Sequence, residues 1–158
     1  SWCIFASYNR TTMGKRLTTN FTLDELTRTR FSVDNTPGPK EAAALQLLAE
    51  KVLQPARDVL GPIEVTSGFR NVSVNTLVHG ARNSHHLKGM AADLQMPDGN
   101  HKRLFDYIRT HLVYTQLIWE FGSLDQPQWV HVSYDPADLK MQVLRAITYG
   151  KRVKYLEL

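Results

Sequence analysis

The sequence predicts one α+β domain built on a mostly antiparallel sheet flanked by helices. Three observations carry that reading. Helical and strand-like periodicities interleave along the chain. Connections of hairpin length join the strand-like runs. The 158 residues show no repeat, low-complexity segment or second domain, and suffice for one hydrophobic core.

Each element has a local cause. Thr22-Leu23-Asp24-Glu25 reads as a capping box, so a short helix follows Thr22. Asp34 to Pro39 is a turn-rich break. Glu41 to Leu60 carries an apolar stripe of Ala44, Leu45, Leu47, Leu48, Val52, Leu53 and Val59 at helical spacing. Pro55 is expected to kink or end that helix near Leu53, and Gly61-Pro62 to stop it. Ile63 to Ser67 alternates and is β-branched, a strand ending at Gly68. Asn71 to Leu77 reads as a helical turn, followed by a loop through Asn83. Met90 to Met96 is a second strand, Pro97 to Asn100 a turn, and His101 to Leu112 an amphipathic helix on Leu104, Phe105, Ile108 and Leu112. Thr115 to Phe121 and Trp129 to Tyr134 are two further strands. The tail from Met141 reads as helix or strand leading into an edge hairpin. The domain is expected over residues 21–158, with 1–20 as an N-terminal extension. Within it, Met13 before Gly14-Lys15-Arg16 reads as a natural start, with twelve residues upstream.

Composition removes several classes of function. An apolar share of 42% with 22% charged residues excludes a disordered chain. No apolar run approaches the roughly 20 residues of a membrane helix. Ser1 to Ala6 lacks the basic start and long apolar core of a signal peptide. The lone Cys3 excludes an internal disulfide and a cysteine-rich metal site. A net charge of +4 favours anionic partners such as cell-wall polymers or nucleic acid, or serves solubility. Aromatics do not interleave with a basic stripe, so no nucleic-acid partner is expected.

The chemistry concentrates in Ser84-His85-His86-Leu87-Lys88-Gly89-Met90-Ala91-Ala92-Asp93 and in the strand around His131. Period-two alternation puts Ala92, Leu94 and Met96 towards the core, so Asp93 points the other way. By the same rule His131 shares a face with Trp129 and Ser133, and Glu120 shares one with Gln116 and Ile118. Three strands can therefore aim Asp93, His131 and Glu120 at one surface. A histidine from the His85-His86 pair, the Asp93 carboxylate and His131 make the three-ligand set that leaves an open position on zinc for water. If they converge, the chain is a hydrolase. Glu120 is then the candidate general base, returning the water's proton to the leaving amine. Arg70 is placed to hold a substrate carboxylate or a developing oxyanion. Asp93 has a plainer explanation, an ion pair with Arg70, because a carboxylate in an apolar strand needs a partner.

The run Ser84, His86, Gly89, Ala91, Asp93 resembles the Ser-x-His-x-x-Gly-x-Ala-x-Asp signature of zinc D-Ala-D-Ala carboxypeptidases and phage endolysin peptidases. Ser67-Gly68-Phe69-Arg70 is similar to their Ser-Gly-Tyr-Arg segment, and Trp129 to Ser133 to their second metal-histidine strand. The likeness covers roughly residues 21 to 156. It implies a Hedgehog/DD-peptidase-type fold with one Zn2+ on the sheet face, and hydrolysis of peptidoglycan stem peptides. It further implies His86, rather than His85, with Asp93 and His131 as ligands. Arg70 would orient substrate or stabilise the transition state, and Ser84 would touch substrate. A monomer follows, made in the cytoplasm, acting at the bacterial cell envelope and possibly of phage origin, with no membrane insertion.

One position departs from the pattern. Several branches of the family carry the catalytic carboxylate three residues before the second histidine, where this chain has Gln128, which cannot act as a base. Small endolysin-like members carry a glutamate on the preceding strand, Glu120 here, and Asp125 is a weaker substitute. Two other functions compete: a non-catalytic, zinc-stabilised wall-binding module on the same fold, and a metal-dependent nuclease using His85, His86 and Asp93. The nuclease has too few carboxylates for a two-metal site.

Overall fold

The computed structural model describes residues 14–158. The expectations for Ser1 to Ala6, for Cys3 and for a start at Met13 lie outside the described residues.

The helices come first. Thr22 caps α1 (Leu23–Thr27) by accepting the Glu25 N–H at 3.2 Å, as the capping box requires. Gly38 precedes α2 (Pro39–Leu48), which runs without a break through a π-helical turn (Ala49–Leu53) into α3 (Gln54–Leu60). Of the two outcomes expected at Pro55, the structure removes the ending: the helix continues through it, with a π-helical turn that closes at Leu53. The Gln54 N–H bonds the Ala49 carbonyl, five residues back. That wider turn accommodates a ring that would clash with the carbonyl four residues earlier. Gly61, at φ 84°, stops α3 as expected.

The strands follow: β1 (Glu64–Ser67), β2 (Ala91–Gln95), β3 (Gln116–Glu120), β4 (Trp129–Ser133), β5 (Gln142–Tyr149) and β6 (Arg152–Glu157). They form one sheet in the order β1-β2-β4-β3-β5-β6. Every pairing is antiparallel except β3 with β5. Between strands lie α4 (Val72–Leu77), capped by Asn71, a 3-10 turn (His85–Lys88) and α5 (His101–His111), capped by Asn100. The domain is thus α+β with a mostly antiparallel sheet, as predicted. The Met141 tail takes the strand option, as the β5–β6 hairpin.

One face of the sheet is the core. Ala92, Leu94, Leu117, Trp119, Val130 and Val132 meet Leu45, Leu48, Val52 and Leu53 from the α2–α3 helix and Leu104, Phe105 and Ile108 from α5. Phe105 meets Trp119 edge to face at 5.2 Å. Alternation then forces the intervening residues onto the opposite face. Two rows of that face matter. Ser67, Asp93, His131, Ile118, Leu144 and Glu157 stand in register across all six strands. Two residues further along, Trp129, Glu120, Ala146 and Tyr155 stand in register across the last four.

Candidate metal centre

Asp93 and His131 face each other across β2 and β4, and β1 reaches the same row through a bulge between Val65 and Ser67. His86 arrives from the 3-10 turn. Ser84 caps that turn by accepting the His86 N–H at 3.2 Å, and Gly89 closes it in the left-handed region at φ 70°. Any side chain at Gly89 would also collide with the Glu41 carbonyl of α2, so the turn is clamped against the helix. Phe69 N–H on the Leu26 carbonyl and Arg70 N–H on the His86 carbonyl fix the Ser67–Arg70 segment beside it.

The three side chains converge. His86, Asp93 and His131 are all buried, at 3%, 8% and 9% exposure, and one donor atom from each lies within 4.8 Å of the others. Asp93 Oδ1 sits 3.4 Å from His86 Nε2 and 3.0 Å from His131 Nδ1. The Gly68 carbonyl lies 2.7 Å from His86 Nδ1. A carbonyl can only accept, so Nδ1 bears the hydrogen and Nε2 of the neutral ring presents a lone pair. That lone pair faces a carboxylate oxygen. Two acceptors at this distance need a cation between them, either a proton or a metal ion. Tetrahedral zinc with bonds of about 2.0–2.1 Å holds its ligands roughly 3.3 Å apart, so the donor set and its spacing fit that ion. A backbone carbonyl on the far ring nitrogen, as Gly68 supplies here, is the outer hydrogen bond that would orient a metal-binding imidazole.

Electrostatics supports an ionised Asp93. Burial opposes its charge, but with a proton between His86 Nε2 and Asp93 the charge of that ring, and hydrogen bonding from His131 and His86, outweigh burial and hold its pKa far below the usual carboxylate range. Its second oxygen, Oδ2, pairs with Arg70 Nη2 at 3.1 Å. The ion pair with Arg70 expected from the sequence is therefore present, and it leaves Oδ1 facing the two imidazoles. Arg70 is itself anchored by Nε on Ser67 Oγ at 3.0 Å, with Nη1 at 3.5 Å from Asn75 Oδ1.

A cleft of ≈ 710 Å³ opens over the triad, lined among others by Arg70, Ser84, Glu120, Trp129 and Tyr155. Glu120 is 7% exposed, and among the described residues nothing hydrogen-bonds its carboxylate. Burial first, and the Asp93 charge second, raise its pKa from 4.5 to about 7, against the pull of His131 and Arg70. Asp125 and Gln128 are exposed on the β3–β4 loop and do not line the cleft. Of the acids weighed for a base, Glu120 alone stands beside the triad. His85 is half-buried at the cleft wall and outside the three-ligand group. Strand alternation would turn it to solvent, but the chain here is a 3-10 turn, where alternation does not apply.

Two residues escape the sequence reading. Asn35, inside what reads as a plain turn, is buried and clamps three segments. Its amide donates to the Thr27 and Phe69 carbonyls, and its oxygen accepts the Asn71 N–H, all at 2.8 Å. An Asn in an Asp-Asn-Thr-Pro turn gives no local sign of that. Tyr155 reaches the cleft from β6, and only the hairpin register reveals it.

Comparison with known proteins bears on this geometry. A zinc D-Ala-D-Ala carboxypeptidase from Streptomyces albus G is 42% identical over 80 residues, which cover 48% of this chain and 31% of that protein. The chain thus matches less than a third of that relative's length. The sequence pattern of Peptidase M15 matches residues 19–133, a stretch that runs from ahead of α1 to the end of β4 and holds His86, Asp93, Glu120 and His131. On that match the chain belongs to the Peptidase M15 family.

Proposed function

We propose that this chain is a zinc-dependent peptidase that hydrolyses peptide bonds in peptidoglycan stem peptides, with His86, Asp93 and His131 holding the ion. The observation that carries the reading is the carbonyl-locked imidazole of His86, whose free nitrogen confronts Asp93 Oδ1 at 3.4 Å. Zinc bound there supplies Lewis-acid polarisation and lowers the pKa of a water towards neutrality.

The chain's own groups do the rest. Glu120 stands on the cleft face one strand from His131, in a site dry enough to lift its pKa to about 7. A carboxylate so poised takes a proton from the attacking water and gives it up to the leaving amine. Arg70 spends donors on Ser67, Asn75 and Asp93 and offers its remaining N–H groups to a substrate carboxylate or developing oxyanion. The Ser84 hydroxyl accepts the His86 N–H, which leaves its own hydrogen for a substrate oxygen.

Carboxypeptidase and endopeptidase action draw on the same machinery, and the products separate them. Mass spectrometry of purified peptidoglycan incubated with the protein, with and without chelator, reads either the loss of a terminal D-Ala or the opening of a cross-link. Metal-dependent release of either product is expected, and Glu120→Gln is expected to abolish it while zinc stays bound. Zinc-dependent binding without any product would replace this reading with the wall-binding module. Action at the cell envelope, a phage source for the chain and a monomeric state accompany the endolysin form of the proposal.

A further inference from the structure

The row that carries Glu120 continues past it. Glu120 on β3 pairs with Ala146 on β5, and Ala146 pairs with Tyr155 on β6, so the three stand side by side on the cleft face. With strands about 4.8 Å apart, Tyr155 starts roughly 10 Å from Glu120. The residue between them brings only a methyl group. That leaves the floor over Ala146 low enough for the phenol to lean across it, and Tyr155 does line the cleft with Glu120 and Ile118. Tyr155 is 53% exposed, and among the described residues its hydroxyl has no hydrogen-bond partner. Burial, and then the negative charges of Glu120 and Asp93, raise the phenol's pKa, so at neutral pH it is a donor. The rest of β6 is a solvated edge with Arg152 and Lys154 on the other face. β6 also lies beyond residues 19–133, the stretch shared with the family pattern.

We propose that Tyr155 is a substrate-contacting residue: its hydroxyl donates a hydrogen bond to an oxygen of the bound peptide on the side of Glu120 away from Arg70. The peptide then crosses the sheet transversely, from Arg70 beside β2, over the triad and Glu120, to the β5–β6 hairpin. This deepens the peptidase reading and rests on it for the identity of the ligand. An uncharged hydrogen bond of this kind is worth about five- to tenfold in affinity.

The test uses the zinc-loaded full chain and muropeptides released from purified peptidoglycan by a muramidase. In a Glu120→Gln background, which separates binding from hydrolysis, Tyr155→Phe is expected to raise the muropeptide Kd about five- to tenfold, with zinc content and Tm unchanged. In the otherwise native chain, Tyr155→Phe is expected to lower kcat/KM by a similar factor. A Kd and kcat/KM both within twofold of the parent would overturn the contact, and so would a loss seen with Tyr155→Leu but not with Tyr155→Phe, which assigns the effect to ring packing. A parent chain that binds muropeptides through the Tyr155 hydroxyl yet releases no product removes the peptidase reading and leaves the contact standing.

Discussion

Glu120→Gln should change stability in a way that depends on pH. In the folded, metal-free chain the Glu120 carboxyl titrates near 7, because it is 7% exposed and faces the charge of Asp93. In the unfolded chain it returns to about 4.5. Between those values the folded state holds a proton that the unfolded state has released. The unfolded state therefore binds fewer protons, and unfolding free energy falls as pH rises through the window. The interval from 4.5 to about 7 is worth roughly 3 kcal/mol at about 1.4 kcal/mol per pH unit. Glutamine carries no charge to bury, so the variant escapes that penalty. Urea unfolding of chelator-treated protein should show the variant gaining about 3 kcal/mol on the parent between pH 4.5 and pH 8. Every other side chain is common to both proteins, so the difference between them reads Glu120. A stability difference that stays flat across that range would refute the claim that burial governs this carboxylate, and with it the proton-shuttle role.

Other perturbations read the metal centre directly. Gly68→Ala drives a Cβ into the Leu26 carbonyl and displaces the carbonyl that orients His86, so zinc affinity in a chelator competition should fall roughly 10–100-fold. Zinc binding should release protons and weaken as pH falls, because the cation replaces whatever proton lies between His86 Nε2 and Asp93 Oδ1; calorimetry in buffers of different ionisation enthalpy checks this. Zinc at about 100 times its Kd should add about 2.7 kcal/mol to unfolding free energy, and chelation should remove it. Arg70→Met orphans Asp93 Oδ2 and should cost about 3–5 kcal/mol without metal, but less with zinc, since the ion takes over neutralisation of Asp93. An equal loss with and without zinc would show that Arg70 and the ion do not share that carboxylate.

The sequence showed those parts of the molecule whose placement is local. Alternation in Ala91-Ala92-Asp93-Leu94 set Asp93 on the face opposite the core, and the same rule oriented His131 and Glu120 correctly, because a strand's periodicity leaves no other choice once one face is apolar. Pro55 announced an irregularity near Leu53 but not its form, because the cost of the ring depends on the helix around it and a π-helical turn just ahead absorbs it. Asn35 and Tyr155 act through partners far along the chain, Phe69 for one and the Glu120–Ala146–Tyr155 row for the other. Pairing of β3 with β5 in parallel has no turn to announce it, so no residue near Tyr155 could reveal that it shares a surface with Glu120.

The division of labour at Asp93 sets how strongly the centre can act on a water. A carboxylate that gives both oxygens to an ion quenches much of its charge. Here one oxygen is committed to Arg70 at 3.1 Å, and the guanidinium is tied down by Ser67 and reaches Asn75. The arginine withdraws charge from Asp93 before any cation arrives, which leaves a bound ion more positive and a more effective Lewis acid. Two neutral imidazoles complete the set without adding negative charge. In the proposed reaction Glu120 is a base and not a ligand, so its carboxylate stays free to take up a proton. On the proposed reading the bulge at Ser67, the Arg70 anchor and the Gly68 carbonyl serve one end, an electron-poor ion beside a proton-accepting carboxylate.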